Sequence, residues 1–359
     1  MSQSLSLKNL KKFDKSGMLD LLLDFPLQCK AAINIAQNSK LLFDKRDFKK
    51  IVFFGMGGSA IGADLARSYL YFGCKDPFCV LREYEVPDYV DSSTLAFVSS
   101  YSGNTKETLN AYKEAKQKGA TIIAISSDGS LREEALKDNI SFVQLPSGHP
   151  PRTALGYSSI IPLYILSQLG VIKDIKTSVN KMVCVLEELR NNNLNPNVAQ
   201  KDNIAKSIAL KLFNKFVIIY SGSLFFDVCV TRLRGQLAEN AKALSSSHLF
   251  PEVIHNEIVG WQNPKKIIKN FAVIVLRDQK MHPYVAKSMD IMRDILKKEE
   301  GIQMIEIWSH GEDLLSRIFS LIYTGDFISY YLAILYGVDP SATPKINYLK
   351  EELSKEFTA

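Results

Sequence analysis

An α/β fold with two parallel sheets, each flanked by helices in three layers, is predicted by three features of the 359-residue sequence. Short β-rich runs alternate with helical stretches, a rhythm that parallel sheets require because each crossover must return the chain to the same edge. Glycine-bearing turns follow the first such run in each half. The order strand, turn, long helix occurs twice, so Gly57 and Gly222 occupy comparable turns and the architecture reads as a duplicated unit.

Residues 1–47 carry helical periodicity at Met18, Leu21, Leu22 and Phe25 and read as a helical lead-in. Residues 48–165 form a first domain, with "KIVFFG", "FCVLREYE", "TLAFVSSYSG", "TIIAISSDG" and "ISFVQLP" as strands and "ADLARSYLYFG" and "TKETLNAYKEAKQKG" as helices. Residues 166–200 are a helical connection that ends in the polar stretch "NNNLNPN", which reads as a linker. Residues 201–340 repeat the pattern with "NKFVIIYSGS", a long helix, "FAVIVLRD" and "GIQMIEIWS"; residues 245–247 read as a serine-rich turn, and residues 341–359 close the chain as a helix.

Composition narrows the class. Hydrophobic residues make up 46% and charged residues 23%, the balance of a globular chain with room for two ordinary domains. The net charge of +6 comes from scattered lysines without a basic run, which suits small anionic substrates and gives no nucleic-acid platform. The polar N-terminus lacks a signal-peptide core and no uninterrupted apolar run reaches about 18 residues, so a cytoplasmic protein without a membrane partner is expected. Cys29, Cys74, Cys79, Cys184 and Cys229 include no C-x-x-C pair and are expected as buried free thiols.

Two stretches carry chemistry. In "FFGMGGSAIGADLARSYL", Gly55, Gly57 and Ala60 fit the dinucleotide pattern G-x-G-x-x-G/A, with Glu83 or Glu85 as the ribose acid. The same geometry at a helix N-terminus holds any phosphate, so a dehydrogenase with its dinucleotide and a protein holding a smaller phosphate are both compatible with it. In "SSYSGNTKETL", Ser100, Ser102 and Thr105 place hydroxyls on a turn that either wraps one phosphate or merely caps a helix. Two such turns at adjacent strand ends favour a phosphate, because ligands of open parallel sheets bind at the carboxyl ends of the strands.

"GMGGSAIGADL" and "SYSGNTKETL" resemble the sugar isomerase (SIS) domain, and "SGS" at 221–223 resembles the corresponding turn of a second copy. With "PRTALGY", "ENAKALSSSHLFPEVIHNEIVGW" and "DPSATPKINYLKEEL" the resemblance narrows to the bifunctional phosphoglucose/phosphomannose isomerases. It implies an aldose–ketose isomerase acting on glucose 6-phosphate and mannose 6-phosphate through a cis-enediolate, with no cofactor and no metal. Residue by residue it implies Gly57, Gly58 and Ser59 as a sugar-contacting loop and Ser100, Ser102 and Thr105 as a phosphate loop. Arg152 then lies beside the reacting carbons, Glu239 is the base, and His255 opens the ring from the neighbouring subunit of a homodimer. Lys350 lies near the ring oxygen, and Thr343 is the small residue that admits both C2 epimers.

The chemistry asks for the same types: a carboxylate to shuttle a proton between C1 and C2, a histidine for the ring oxygen and an arginine for the oxyanion. His149, His248, His282 and His310 compete with His255, and Arg232 and Arg234 compete as anion binders. A non-catalytic phosphosugar sensor is the alternative from another class.

Overall fold

The computed structural model describes residues 4–44, 47–299, 301–302 and 304–356; parts of the expected lead-in, of "GIQMIEIWS" and of the C-terminal helix lie outside them. Three helices open the chain, α1 (Leu7–Phe13), α2 (Met18–Leu23) and α3 (Phe25–Asn38). The first α/β unit runs β1 (Lys50–Gly55), α4 (Gly57–Leu70), β2 (Phe78–Leu81), β3 (Thr94–Ser99), α5 (Lys106–Gln117), β4 (Thr121–Ser126), α6 (Ser130–Lys137) and β5 (Ser141–Gln144). Then come α7 (Leu155–Gln168), α8 (Lys176–Leu189) and α9 (Ile204–Leu212). The second unit runs β6 (Phe216–Gly222), α10 (Asp227–Glu239), β7 (Ser245–Phe250), α11 (Glu257–Gly260), α12 (Lys265–Ile268), β8 (Phe271–Arg277), α13 (Pro283–Glu299) and β9 (Met304–Trp308). It is followed by α14 (Leu314–Tyr336) and α15 (Pro344–Glu356).

Every strand pair is parallel, in the orders β2-β1-β3-β4-β5 and β7-β6-β8-β9. The two sheets therefore wind identically over their first four strands. Helices cover both faces, so β3 is buried along its whole length and reads as a continuous apolar run rather than an alternating one.

One strand overturns its expectation. Residues 245–250 form β7, which pairs with β6 from Val217↔Ser245 to Gly222↔Phe250, where a serine-rich turn was expected. It lies at the sheet edge, half-buried, and a parallel ladder needs only its backbone groups. Serines at 245–247 hide the apolar signature of a strand. The polar stretch after α8 is a π-helical turn, Arg190–Leu194, whose Leu194 is fully buried and whose carbonyl accepts from Tyr331 Oη at 2.6 Å.

Helix α14 is the axis of the core. Its 23 residues are long and apolar enough to cross a membrane by length and composition, yet the whole apolar window is buried inside the protein. Arg317 and Asp326 interrupt the apolar run, which is why the sequence shows no membrane signal. Hydroxyls of Ser320, Thr324 and Ser329 donate to carbonyls one turn back, so these three are satisfied within the helix. A single apolar cluster joins α3, α4, α7, α8, α10 and α14 and welds both units together.

The lead-in helices help to hold that assembly. Buried Gln28 on α3 donates to Thr153 O at 2.8 Å and accepts from Gly156 N–H at 2.8 Å, fixing the start of α7 from 125 residues away.

Burial of all five thiols does not hold: Cys29 and Cys229 are buried, Cys74 and Cys79 are half-buried, and Cys184 on α8 is exposed. Burial pushes the Cys29 and Cys229 thiols up, removing the reactive thiolate. A maleimide titration at pH 7.5 should label Cys184 first and leave Cys29 and Cys229 unmodified until denaturant is added. Mass mapping of the adducts checks the order.

Candidate active site

Strands β1 and β3 lie side by side and end together at Gly55↔Ser99, so the turns leaving them open onto the same edge. The first turn enters α4 directly. Gly58 lies so close to the next segment that a Cβ there would sit 2.3 Å from Pro151 O. That contact lets the Arg152 backbone approach the N-terminus of α4, with Ser59 buried behind it.

In the second turn Ser100 Oγ and Thr105 Oγ1 are hydrogen-bonded at 2.8 Å, and Asn104 N–H donates to Ser102 Oγ at 3.3 Å. Gly103 (φ +73°) permits the bend, since a Cβ there would collide with Asp128 O at 1.7 Å. Thr105 is the N-cap residue of α5, but its side chain makes no capping bond. The plain capping alternative is therefore not what the hydroxyl does. The Thr105 side chain thus does not occupy the N-terminus of α5, and a helix N-terminus attracts anions.

Arg152, on the 3₁₀ turn Pro151–Thr153, is 5% exposed. Its Nε donates to Asn240 Oδ1 at 2.8 Å and its Nη2 to Pro340 O at 2.7 Å and Ser341 O at 3.0 Å. Its Nη1 faces Glu239 Oε2 at 3.3 Å. Burial weakens the guanidinium's hold on its proton and Glu239 opposes that effect. Glu239 is the last residue of α10, with a side chain 37% exposed. Gly57, Gly58, Arg82, Arg152, Arg234 and Glu239 line one cleft of about 520 Å³. Arg232 lines the cleft too, and four arginines against one carboxylate make it electropositive, which suits a phosphorylated ligand.

Beneath Arg152 lies a second guanidinium. Arg232 donates to Asp326 through Nε at 3.1 Å and Nη2 at 2.9 Å, and also to Arg152 O at 2.7 Å. Arg232 is thus spent on a buried pair rather than offered to an anion. Arg234 is exposed at the cleft and has no hydrogen bond or ion pair among the described residues.

Other expected residues lie elsewhere. His255, at the end of the 3₁₀ turn Glu252–His255, is exposed and does not line the cleft. Thr343 starts α15, accepting from Ile346 and Asn347 N–H at 3.1 Å, and Lys350 is exposed along that helix. His248 bonds Glu257 at 2.9 Å, and His282 accepts from Tyr284 N–H at 3.2 Å. His149 sits near the second turn, its backbone N–H on Tyr101 Oη at 2.9 Å, with Nδ1 buried and unpartnered among the described residues. Burial pushes its imidazolium pKa down. Glu83 and Glu85 are exposed beyond β2. Sequence reasoning missed Gln28, Asp326, Asn240 and Lys242. Gln28 and Asp326 sit within largely apolar helices and Asn240 and Lys242 just past the end of α10, and that placement was the only local signal.

Asp326→Ala should destabilise the protein by about 3–5 kcal/mol, because the Arg232 charge is left buried without its partner. Urea unfolding of the variant checks it, and Asp326→Leu combined with Arg232→Met should recover most of the loss.

Comparison with known proteins places this arrangement. Residues 46–139 match the SIS domain model, and residues 201–353 match the model of the bacterial phospho-glucose isomerase C-terminal SIS domain. The bifunctional phosphoglucose/phosphomannose isomerase of Caldicellulosiruptor bescii is 43% identical over 339 residues, covering 94% of this chain and 99% of that protein. The protein of the same name from Aquifex aeolicus is 34% identical, covering 87% and 92%. A hypothetical protein from Thermus thermophilus shares the fold, with a TM-score of 0.75 at 14% identity over 98% of this chain and 93% of that one. The chain belongs to the bifunctional phosphoglucose/phosphomannose isomerase family.

Proposed function

We propose that the cleft between the end of α10 and the start of α4 interconverts glucose 6-phosphate and mannose 6-phosphate with fructose 6-phosphate. The observation that carries this reading is the Arg152–Glu239 pair, 3.3 Å apart, with the carboxylate on the open side. Glu239 takes the proton from C2 of the open-chain aldose and returns it to C1 of the cis-enediolate, and the reverse for the ketose. Arg152 stabilises the oxygen on which negative charge develops, already stripped of water and held by three acceptors. Gly57, Gly58 and Ser59 meet the sugar, and the phosphate rests on Ser100, Ser102, Thr105 and the N-terminus of α5.

A second copy completes the site. His255 has no partner among the described residues and stands outside its own cleft, which supports its use in a neighbour's ring opening. Helix α15 presents Ile346, Leu349 and Leu353 on one face, 42%, 59% and 48% exposed, as a helix awaiting a partner surface would. Thr343 and Lys350 travel with that helix, so its docking sets the C2 specificity and the contact to the ring oxygen. The exposed free thiol of Cys184 suits a reducing cytoplasm.

Fructose 6-phosphate incubated with the protein should yield both aldose phosphates; binding without turnover would instead support a sensor. Glu239→Gln should lower kcat by several orders of magnitude, because the amide cannot accept the proton. Ser102→Ala with Thr105→Ala should raise KM about tenfold or more per lost bond to the charged group, at about 1.5–3 kcal/mol each. Mixing inactive Glu239→Gln and His255→Ala proteins under confirmed subunit exchange should restore activity in one of the two sites of each mixed dimer. If none returns, the acid belongs to the same chain, and His149 is the histidine to test.

A further inference from the structure

The end of α10 is built in an unusual way. After Glu239 the chain turns through Asn240 and Ala241 to Lys242, which has φ +55°. Helices end in that left-handed conformation with glycine, because a side chain is disfavoured there. Lysine is retained, and its side chain folds back. Nζ donates to Glu239 O at 2.8 Å, Asn240 O at 3.1 Å and Asp339 O at 2.6 Å, with Pro340 O at 3.5 Å. The first two are carbonyls at the negative end of the helix, which favour a cation. The other two belong to the loop that leaves α14, and Arg152 Nη2 bonds Pro340 O and Ser341 O in the same loop. Thr343 follows two residues later.

We infer, on the isomerase reading above, that Lys242 is a positioning residue: it clasps the 339–341 loop to the end of α10 and so sets Thr343 and α15 against Glu239. Its own atoms need not touch substrate. The strained backbone is retained because only a long cationic side chain leaving from that point spans both segments.

The charged groups facing the ammonium are Arg152 from the 3₁₀ turn, Glu239 from α10 and Asp339 from the loop. Burial and Arg152 push Lys242 down to about 8, while Asp339 and Glu239 act the other way. Below that pH all three protons hold carbonyls. Above it the neutral amine must release one, and the clasp loosens.

Lys242→Met, Lys242→Gly and Lys242→Arg test this by hydrogen exchange of the unliganded protein and by kinetics. In the Met and Gly variants, amides of residues 339–347 should exchange about tenfold faster or more, while those of β1 and β3 stay protected. Their kcat should fall about 10–100-fold with KM for fructose 6-phosphate within about threefold, the pattern of misplaced groups rather than lost binding. Lys242→Arg should recover most of the loss and remove the alkaline limb near pH 8. Glycine relieves the strained φ, so Lys242→Gly separates the clasp from backbone comfort: full kcat in that variant overturns the inference. Unchanged exchange at 339–347 in both Met and Gly variants overturns it equally, whatever their activity. A wild type without turnover refutes the isomerase reading instead, and the exchange experiment still decides the clasp.

Discussion

A guanidinium cannot shed its charge at any ordinary pH, so burying Arg152 obliges everything around it to supply acceptors. Asn240, Pro340 and Ser341 give three, and Glu239 gives the countercharge. Because Arg232 lies directly beneath, a second positive charge needs its own anion, and Asp326 therefore stands in the middle of a buried, largely apolar helix. The consequence reaches outward. The loop after α14 is drawn in as a set of carbonyl acceptors, α10 is fixed at its last turn, and Gln28 of the opening helices secures the segment from which Arg152 projects. A cluster of this kind costs stability through desolvation and returns geometry, since each member has one orientation that satisfies the others.

The duplicated units wind alike but end differently. At the carboxyl edge of the first sheet, β1 and β3 lead into open glycine-bearing turns. At the same edge of the second sheet, the equivalent space is filled. Met281 lies against Gly222, where an added Cβ would be 3.2 Å from its Cε, and Asp278 accepts from Ser309 at 2.6 Å and Arg317 at 2.8 Å. The "SGS" turn thus retains its place in the fold while the hollow beside it is closed by packing and an ion pair. The second unit contributes the end of α10 instead. The units meet where Ser68 donates to Asp227 at 2.9 Å beside the Arg67–Asp227 ion pair, joining α4 to α10.

What the sequence displayed was whatever depends on neighbours along the chain. Strands covered on both faces appear as apolar runs, so β1, β3, β4, β6 and β8 were legible, and the turns at 55–59 and 100–105 carry their glycines and hydroxyls together. Glu239 and Arg152 were legible only through family resemblance, because 87 residues separate the two partners. Strand β7 was hidden by serines that pair through their backbone alone. Gln28 and Asp326 were hidden for a related reason. A polar residue on a helix reads as solvent-facing until the fold brings a carbonyl or a guanidinium to it from far away. Thr105 shows the limit at close range, since one local pattern allowed either a cap or a phosphate-wrapping hydroxyl, and the turn's curvature brings the hydroxyl to Ser100.

The burial of α14 sets a schedule for the chain's assembly. Tyr323 Oη donates to Leu22 O, a contact closed across 301 residues, and α8, α9 and α10 all rest on this one helix. Ribosomes deliver residues in order, so the first sheet and its helices emerge long before the element that completes their shared core. Until residue 336 is released, the faces of α8, α9 and α10 that pack on α14 have nothing against them. The core shared by both units therefore closes only after α14 has left the ribosome. A ribosome stalled shortly before Leu314 would leave a long polypeptide of sound secondary structure that cannot close.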